Sequence, residues 1–171
     1  VDMLAMRTWG RKATEAEMEE IYRVKSELFN TCPEASPMPY AREVLQAVRD
    51  RGLRIVLVTG SGQRSLLDRL EQAFPGCFHE DYMVTAYDVV HGKPNPEPYL
   101  IGLDKAGVHA SQAMVVENAP LGVQAGHAAG IYTLALNTGT LPDDVLWESG
   151  ADCVLPSMQA LSEQTCRFFG K

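Results

Sequence analysis

Arg54-Ile55-Val56-Leu57-Val58-Thr59-Gly60-Ser61-Gly62 is the stretch on which the fold turns. Residues 54–58 form a short, β-branched apolar run. A run of that kind suits a strand covered on both faces, as strands of parallel sheets are. It ends at once in two glycines and two hydroxyls, the chemistry of a tight turn. Residues 63–73 then read as a helix, with Leu66, Leu67, Leu70 and Phe74 on one stripe. Strand, turn and helix follow one another with no spare residues.

The same unit recurs downstream. Residues 82–85 read as a weaker strand, and 96–106 as a helix stopped by Gly107. Residues 113–116 are a strand, and 120–129 a helix of small residues stopped by Gly130. A strand at 131–136, a helix near 142–149, a strand at 152–155 and a helix near 157–168 complete the series. Upstream, 40–51 read as a helix with Pro39 near its first position and Gly52 as its stop. Strands alternating with helices predict an α/β fold: a Rossmann-like parallel sheet with helices on both faces. Such sheets bind ligands beyond the carboxyl ends of their strands, so functional residues are expected just after each strand.

The N-terminal part has another pattern. Residues 14–30 read as an amphipathic helix, with Met18, Ile21, Tyr22, Leu28 and Phe29 on one face. Thr14 and Glu17 have the spacing of a capping box. Residues 3–10 read as the end of a preceding helix. Pro33, Pro37 and Pro39 stiffen the chain between the two patterns, and 34–39 is read as a connector.

The net charge of −7 argues against nucleic acid or an anionic membrane as partner, because phosphate backbones require clustered Lys and Arg. No apolar run approaches the 18 or so residues that a membrane-spanning helix needs. The four cysteines form no metal-binding spacing and read as reduced thiols of a cytoplasmic protein. Val1-Asp2-Met3-Leu4 is neither a signal peptide nor an initiator Met, so the chain is expected to begin inside a longer protein.

Three segments at or beyond strand ends carry chemistry. Thr59-Gly60-Ser61-Gly62-Gln63 offers hydroxyls and exposed backbone N–H groups to an anion, or is a plain glycine-rich turn. Gly92-Lys93-Pro94-Asn95-Pro96 holds a lysine in a proline-restricted loop. A fixed ammonium suits developing phosphoryl charge, although such a loop can also be only a helix start. Glu117-Asn118, directly after an apolar strand, suits a hard cation, and Asn118 equally suits a helix N-cap. The four histidines are scattered and read as structural or surface residues.

In this order, the three segments resemble the motifs of the haloacid dehalogenase superfamily of phosphohydrolases, in its subgroup of β-phosphoglucomutase and sugar-phosphate phosphatases. Thr59 matches the strand-end Ser/Thr of the second motif, Lys93 the lysine of the third, and Glu117-Asn118 with Gly122, Ala125-Gly126 and Ala128-Ala129-Gly130 the fourth. The resemblance implies an aspartyl-phosphate mechanism in which Thr59 and Lys93 are catalytic. Gly60, Ser61, Gln63 and Asn95 would bind phosphate or substrate, and Glu117 and Asn118 would hold Mg²⁺. It also implies that 1–33 are part of a helical cap and 40–171 the core without its first strand.

The family's first motif, Asp-x-Asp-Gly, is absent: no Asp-x-Asp occurs, and Asp143-Asp144 read as a helix start. The chain alone is therefore expected to be inactive, through truncation rather than natural loss. Asn118 stands where many relatives have Asp, which removes one charge from the metal site. Gly62 stands where the mutase has a lysine for its second phosphate, which favours hydrolysis over mutase chemistry. The expected substrate is a small phosphorylated metabolite or pyrophosphate, with a lean to the pyrophosphatase-like members. Two rival readings stand beside this one: a nicotinamide-binding module, which lacks its third glycine at Ser65, and a non-catalytic phosphate- or partner-binding protein.

Overall fold

The computed structural model describes residues 2–32, 36–61 and 64–170. The chain divides into two compact units, Val1–Ser36 and Pro37–Lys171.

The first unit contains helices α1 (Asp2–Trp9) and α2 (Glu15–Thr31). The capping box is complete. The Glu17 amide donates to Thr14 Oγ1 at 3.3 Å, and the Thr14 amide donates back to Glu17 Oε2 at 2.8 Å. The apolar residues of α2 are poorly covered: Tyr22 is 56% exposed and Leu28 61%. Ile21, Val24, Leu28 and Cys32 line an open apolar surface within this unit.

The second unit carries α3 (Ala41–Asp50), β1 (Leu57–Val58), α4 (Arg64–Ala73), β2 (Met83–Val84), α5 (Glu97–Ala106), β3 (Met114–Glu117) and α6 (Pro120–Ala128). It continues with β4 (Tyr132–Leu136), α7 (Asp143–Glu148), β5 (Cys153–Leu155), α8 (Met158–Glu163) and α9 (Thr165–Phe168). All strand pairs are parallel. They form two sheets, β1–β2 and β3–β4–β5. Among the described residues, β1 and β3 each pair on one side only.

The side chains of β4 alternate between two faces. Leu134 and Leu136 pack with Val44 of α3 and Leu161 of α8. Ala135 packs with Val123 of α6 and Leu146 of α7. Helices therefore cover both faces of this sheet, as the near-continuous apolar pattern of 131–136 requires. Helix α6 lies close on the sheet because its residues are small. A Cβ on Gly126 would stand 2.6 Å from Thr133 Oγ1 and 3.3 Å from Val115 Cβ.

Three elements differ from the sequence reading. Strand β1 is two residues rather than five, since only its β2 side forms a ladder. Helix α3 is entered through Tyr40 in the left-handed region (φ 66°), so Pro39 lies before the cap rather than at the first helical position. The final helix breaks at Gln164, and Phe168 and Phe169 turn onto the Val44–Leu161 core.

Candidate active site

The carboxyl ends of β1 and β3 are joined by one side chain. The Lys93 ammonium donates to the Val58 carbonyl at 3.2 Å and to Glu117 Oε1. Val58 ends β1 and Glu117 ends β3, so Lys93 spans the two sheets at the edge where ligands of parallel sheets bind. Its side chain is 19% exposed and that of Glu117 12%. The loop supplying Lys93 is held from both ends. The Val90 and His91 amides donate to the Glu97 carboxylate at 2.6 and 2.9 Å, and the Asn95 amide donates to the Gly92 carbonyl at 3.1 Å. The Lys93–Pro94 peptide bond is cis.

Glu117 is fully engaged. Oε1 accepts from Lys93 and from the Tyr99 hydroxyl at 2.9 Å. Oε2 accepts from the amides of Asn118 at 3.0 Å and Ala119 at 3.2 Å. Four donors occupy the four acceptor directions of a carboxylate. The side chain fits there because residue 122 is glycine: a Cβ at that position would overlap the Glu117 carboxylate. Burial pushes the Glu117 carboxyl up, but Lys93, the Tyr99 hydroxyl and the Ala119 amide outweigh it. Its pKa lies below the usual carboxylate range.

Thr59 directly follows Val58. Its hydroxyl accepts the Ser61 amide at 3.1 Å, which closes the turn that carries Gly60 and Ser61. Gln63 lies outside the described residues. Asn95 is exposed, and its side-chain oxygen accepts the Glu97 amide at 2.9 Å, so it is used locally at the start of α5. Asn118 is exposed and donates to Thr138 Oγ1 at 3.2 Å. The cap of α6 is Ala119, not Asn118. Lys93, Glu117 and the Thr59 turn are thus brought together, and Asn95 is not shown joining them.

The described residues alone do not fit Mg²⁺. That ion takes about six oxygens, usually with one or two carboxylates. Glu117 has no acceptor direction to spare, Asn118 Oδ1 is a neutral ligand, and no group of three His, Cys, Asp or Glu gathers among the described residues. Beside the site, Met38, Val116, Leu136 and Met158 line a cleft of about 280 Å³ with Glu117, Asn118 and Thr138.

No sequence signal marks Tyr99. It is 7% exposed and packs with Val115, Ala125 and Ile131. Its position on α5 looks like that of any core aromatic, yet its hydroxyl reaches Glu117 and its ring lies beside Lys93. All four cysteines are free. Among the described residues, no helix is long and apolar enough to cross a membrane.

A family profile described as haloacid dehalogenase-like hydrolase matches residues 3–130. A phosphorylated carbohydrates phosphatase of Thermotoga maritima is 32% identical over 145 residues, which cover 84% of this chain and 64% of that protein. Hexitol phosphatase A of Escherichia coli is 33% identical over 125 residues, which cover 73% of this chain and 56% of that protein. The chain thus spans roughly half to two thirds of the length of these relatives. A solved structure from Bacteroides vulgatus, provisionally named a beta-phosphoglucomutase, superposes with a TM-score of 0.92 at 49% identity. It covers all of this chain, which spans 70% of that one.

Proposed function

The chain belongs to the haloacid dehalogenase-like hydrolases, and on that premise we propose that it provides the phosphoryl-binding half of a phosphohydrolase site. The observation that carries this reading is the Lys93 ammonium fixed at the ends of β1 and β3, next to the Thr59 turn. In the reaction, a carboxylate oxygen attacks phosphorus, the bond to the leaving oxygen breaks, and an acid protonates that oxygen. Water then cleaves the aspartyl-phosphate. Lys93 neutralises the phosphoryl oxygens, and Thr59, Gly60, Ser61 and Gln63 orient them. Asn95 is assigned to the substrate side. The attacking carboxylate has no counterpart in this sequence. It is proposed to arrive on a strand outside the sequence, which pairs with the free edges of β1 and β3. The first unit is proposed as part of a cap.

If Mg²⁺ takes part, it would offset phosphoryl charge. Of the described residues, the exposed Asn118 would offer Oδ1 to it, and carboxylate ligands would have to come from outside this sequence. Glu117 is proposed as the anchor of Lys93. The substrate is proposed to be a small phosphorylated metabolite, supported by the similarity to a phosphorylated carbohydrates phosphatase and a hexitol phosphatase. Pyrophosphate is the other candidate, from the sequence resemblance alone. A cytoplasmic setting is consistent with the four free thiols.

A second reading, phosphosugar mutase chemistry, is favoured by the name of the Bacteroides vulgatus neighbour. Gly62 leaves the turn without a cation for a second phosphate, which favours hydrolysis. The test is phosphate release with Mg²⁺ from this chain and from protein expressed with its upstream coding sequence, each beside its Lys93→Ala variant. Release by the extended protein alone is expected. Turnover by this chain above its variant would overturn the missing-nucleophile reading. An isomerised sugar phosphate without free phosphate would favour the mutase.

A further inference from the structure

The Tyr99 side chain does two things at once. Its ring is buried between the sheets' covering elements, against Val115 of β3 and Ala125 of α6, with Val58 of β1 packed alongside. Its hydroxyl donates to Glu117 Oε1 at 2.9 Å, the same oxygen that takes Lys93. The Lys93 Nζ lies 4.9 Å from the ring centroid, within cation–π range. One rigid aromatic therefore touches both members of the ion pair. A lysine stem is flexible and rarely holds one geometry unaided. A ring locked by core packing is a fixed reference against which both charges can be set.

We infer that Tyr99 is a positioning residue of the site: it fixes Glu117 by its hydroxyl and Lys93 by its ring, so that the ammonium stands ready between β1 and β3. This rests on the proposed phosphoryl-binding role of Lys93. Tyr99 touches no reacting atom, and its effect passes through the pair. Burial and the charge of Glu117 hold the phenol above its ordinary pKa, so it remains a donor at neutral pH.

The test is Tyr99→Phe, which keeps the ring and removes one hydroxyl. In this chain, ¹⁵N relaxation of the Lys93 ammonium is compared with that of exposed Lys25. Wild-type Lys93 should be far more ordered than Lys25, and Tyr99→Phe should move it clearly towards Lys25. An unchanged Lys93 order parameter in a folded variant would make Tyr99 a core residue only and overturn the inference. Glu117→Gln, which leaves the ring intact, gives a second arm: the ¹³Cζ resonance of Tyr99 should shift while Lys93 becomes mobile. An unmoved Tyr99 resonance overturns it as well. In the extended protein, Tyr99→Phe should lower kcat about tenfold, the scale of one lost hydrogen bond to a charged group, with KM within about twofold. The relaxation and resonance readouts need no turnover. Absent phosphate release would therefore refute the hydrolase reading while leaving the positioning result intact.

Discussion

Lys93 and Glu117 form a partly buried pair whose members depend on each other. The depressed Glu117 pKa sets the sign of its pH dependence. Its pairing stabilises the fold above the ordinary carboxylate pKa of about 4.3 and is lost as pH falls from there through the lower, folded value. Lys93→Met leaves a carboxylate with no counter-charge, a loss of roughly 3–5 kcal/mol at neutral pH. That loss should shrink in acid as Glu117 takes up a proton, which urea unfolding at pH 7 and pH 4 would show. Gly122→Ala attacks the same carboxylate from the other side. The Glu117 chain could swing away, but only by giving up four hydrogen bonds, so we expect a loss of about 1–3 kcal/mol in the same experiment. That Lys93 and Glu117 lie at or just past strand ends was legible in the sequence, but their pairing was not, since the sequence reading gave Glu117 to a metal. Tyr99 was not legible either: it is 18 residues from its partner Glu117, and nothing local marks a core tyrosine whose hydroxyl matters.

Helices were easy to read because their signals are local. Thr14 and Glu17 mark the start of α2, and the glycines at 52 and 107 take the left-handed conformation after α3 and α5. The extent of β1 was not legible, because a strand's length depends on its neighbours and not on its own apolar run. The small-residue character of α6 has a cause that only packing reveals. Gly126 lies over Thr133, which is fully buried and donates its hydroxyl to the Ile131 carbonyl at 2.8 Å. Thr133 is β-branched and cannot easily turn aside. Gly126→Ala should therefore lift α6 from β3 and β4 and lower the denaturant midpoint by the equivalent of about 1–3 kcal/mol. A midpoint at or above that of the wild type would show that the helix can settle without strain.

Each unit leaves apolar or hydrogen-bonding surface open. In the second unit, among the described residues, the outer edges of β1 and β3 carry no strand partner, and Val116 of β3 is 42% exposed. Open edges of this kind promote association between copies. Light scattering of this chain should rise steeply with concentration, and Val116→Lys should suppress the rise while leaving the helical circular dichroism unchanged. Scattering that ignores Val116→Lys would point away from this edge. The alternation of strands and helices, and hence the fold class, could be read along the chain. The division of the sheet could not, since pairing partners are a property of the assembled fold.

Lys93 reaches across that division, and this gives it an unusual standing under mutation. The atom proposed to meet the phosphoryl group is also the tie between two sheets. A survey of all substitutions would score position 93 twice, once in an activity screen and once in an abundance screen. Residues whose only duty is chemical normally tolerate change in the second screen, and often improve there. Lys93 should break that pattern, and Arg, which keeps the charge but replaces a compact ammonium with a wider planar fork, should be the substitution that separates the two scores.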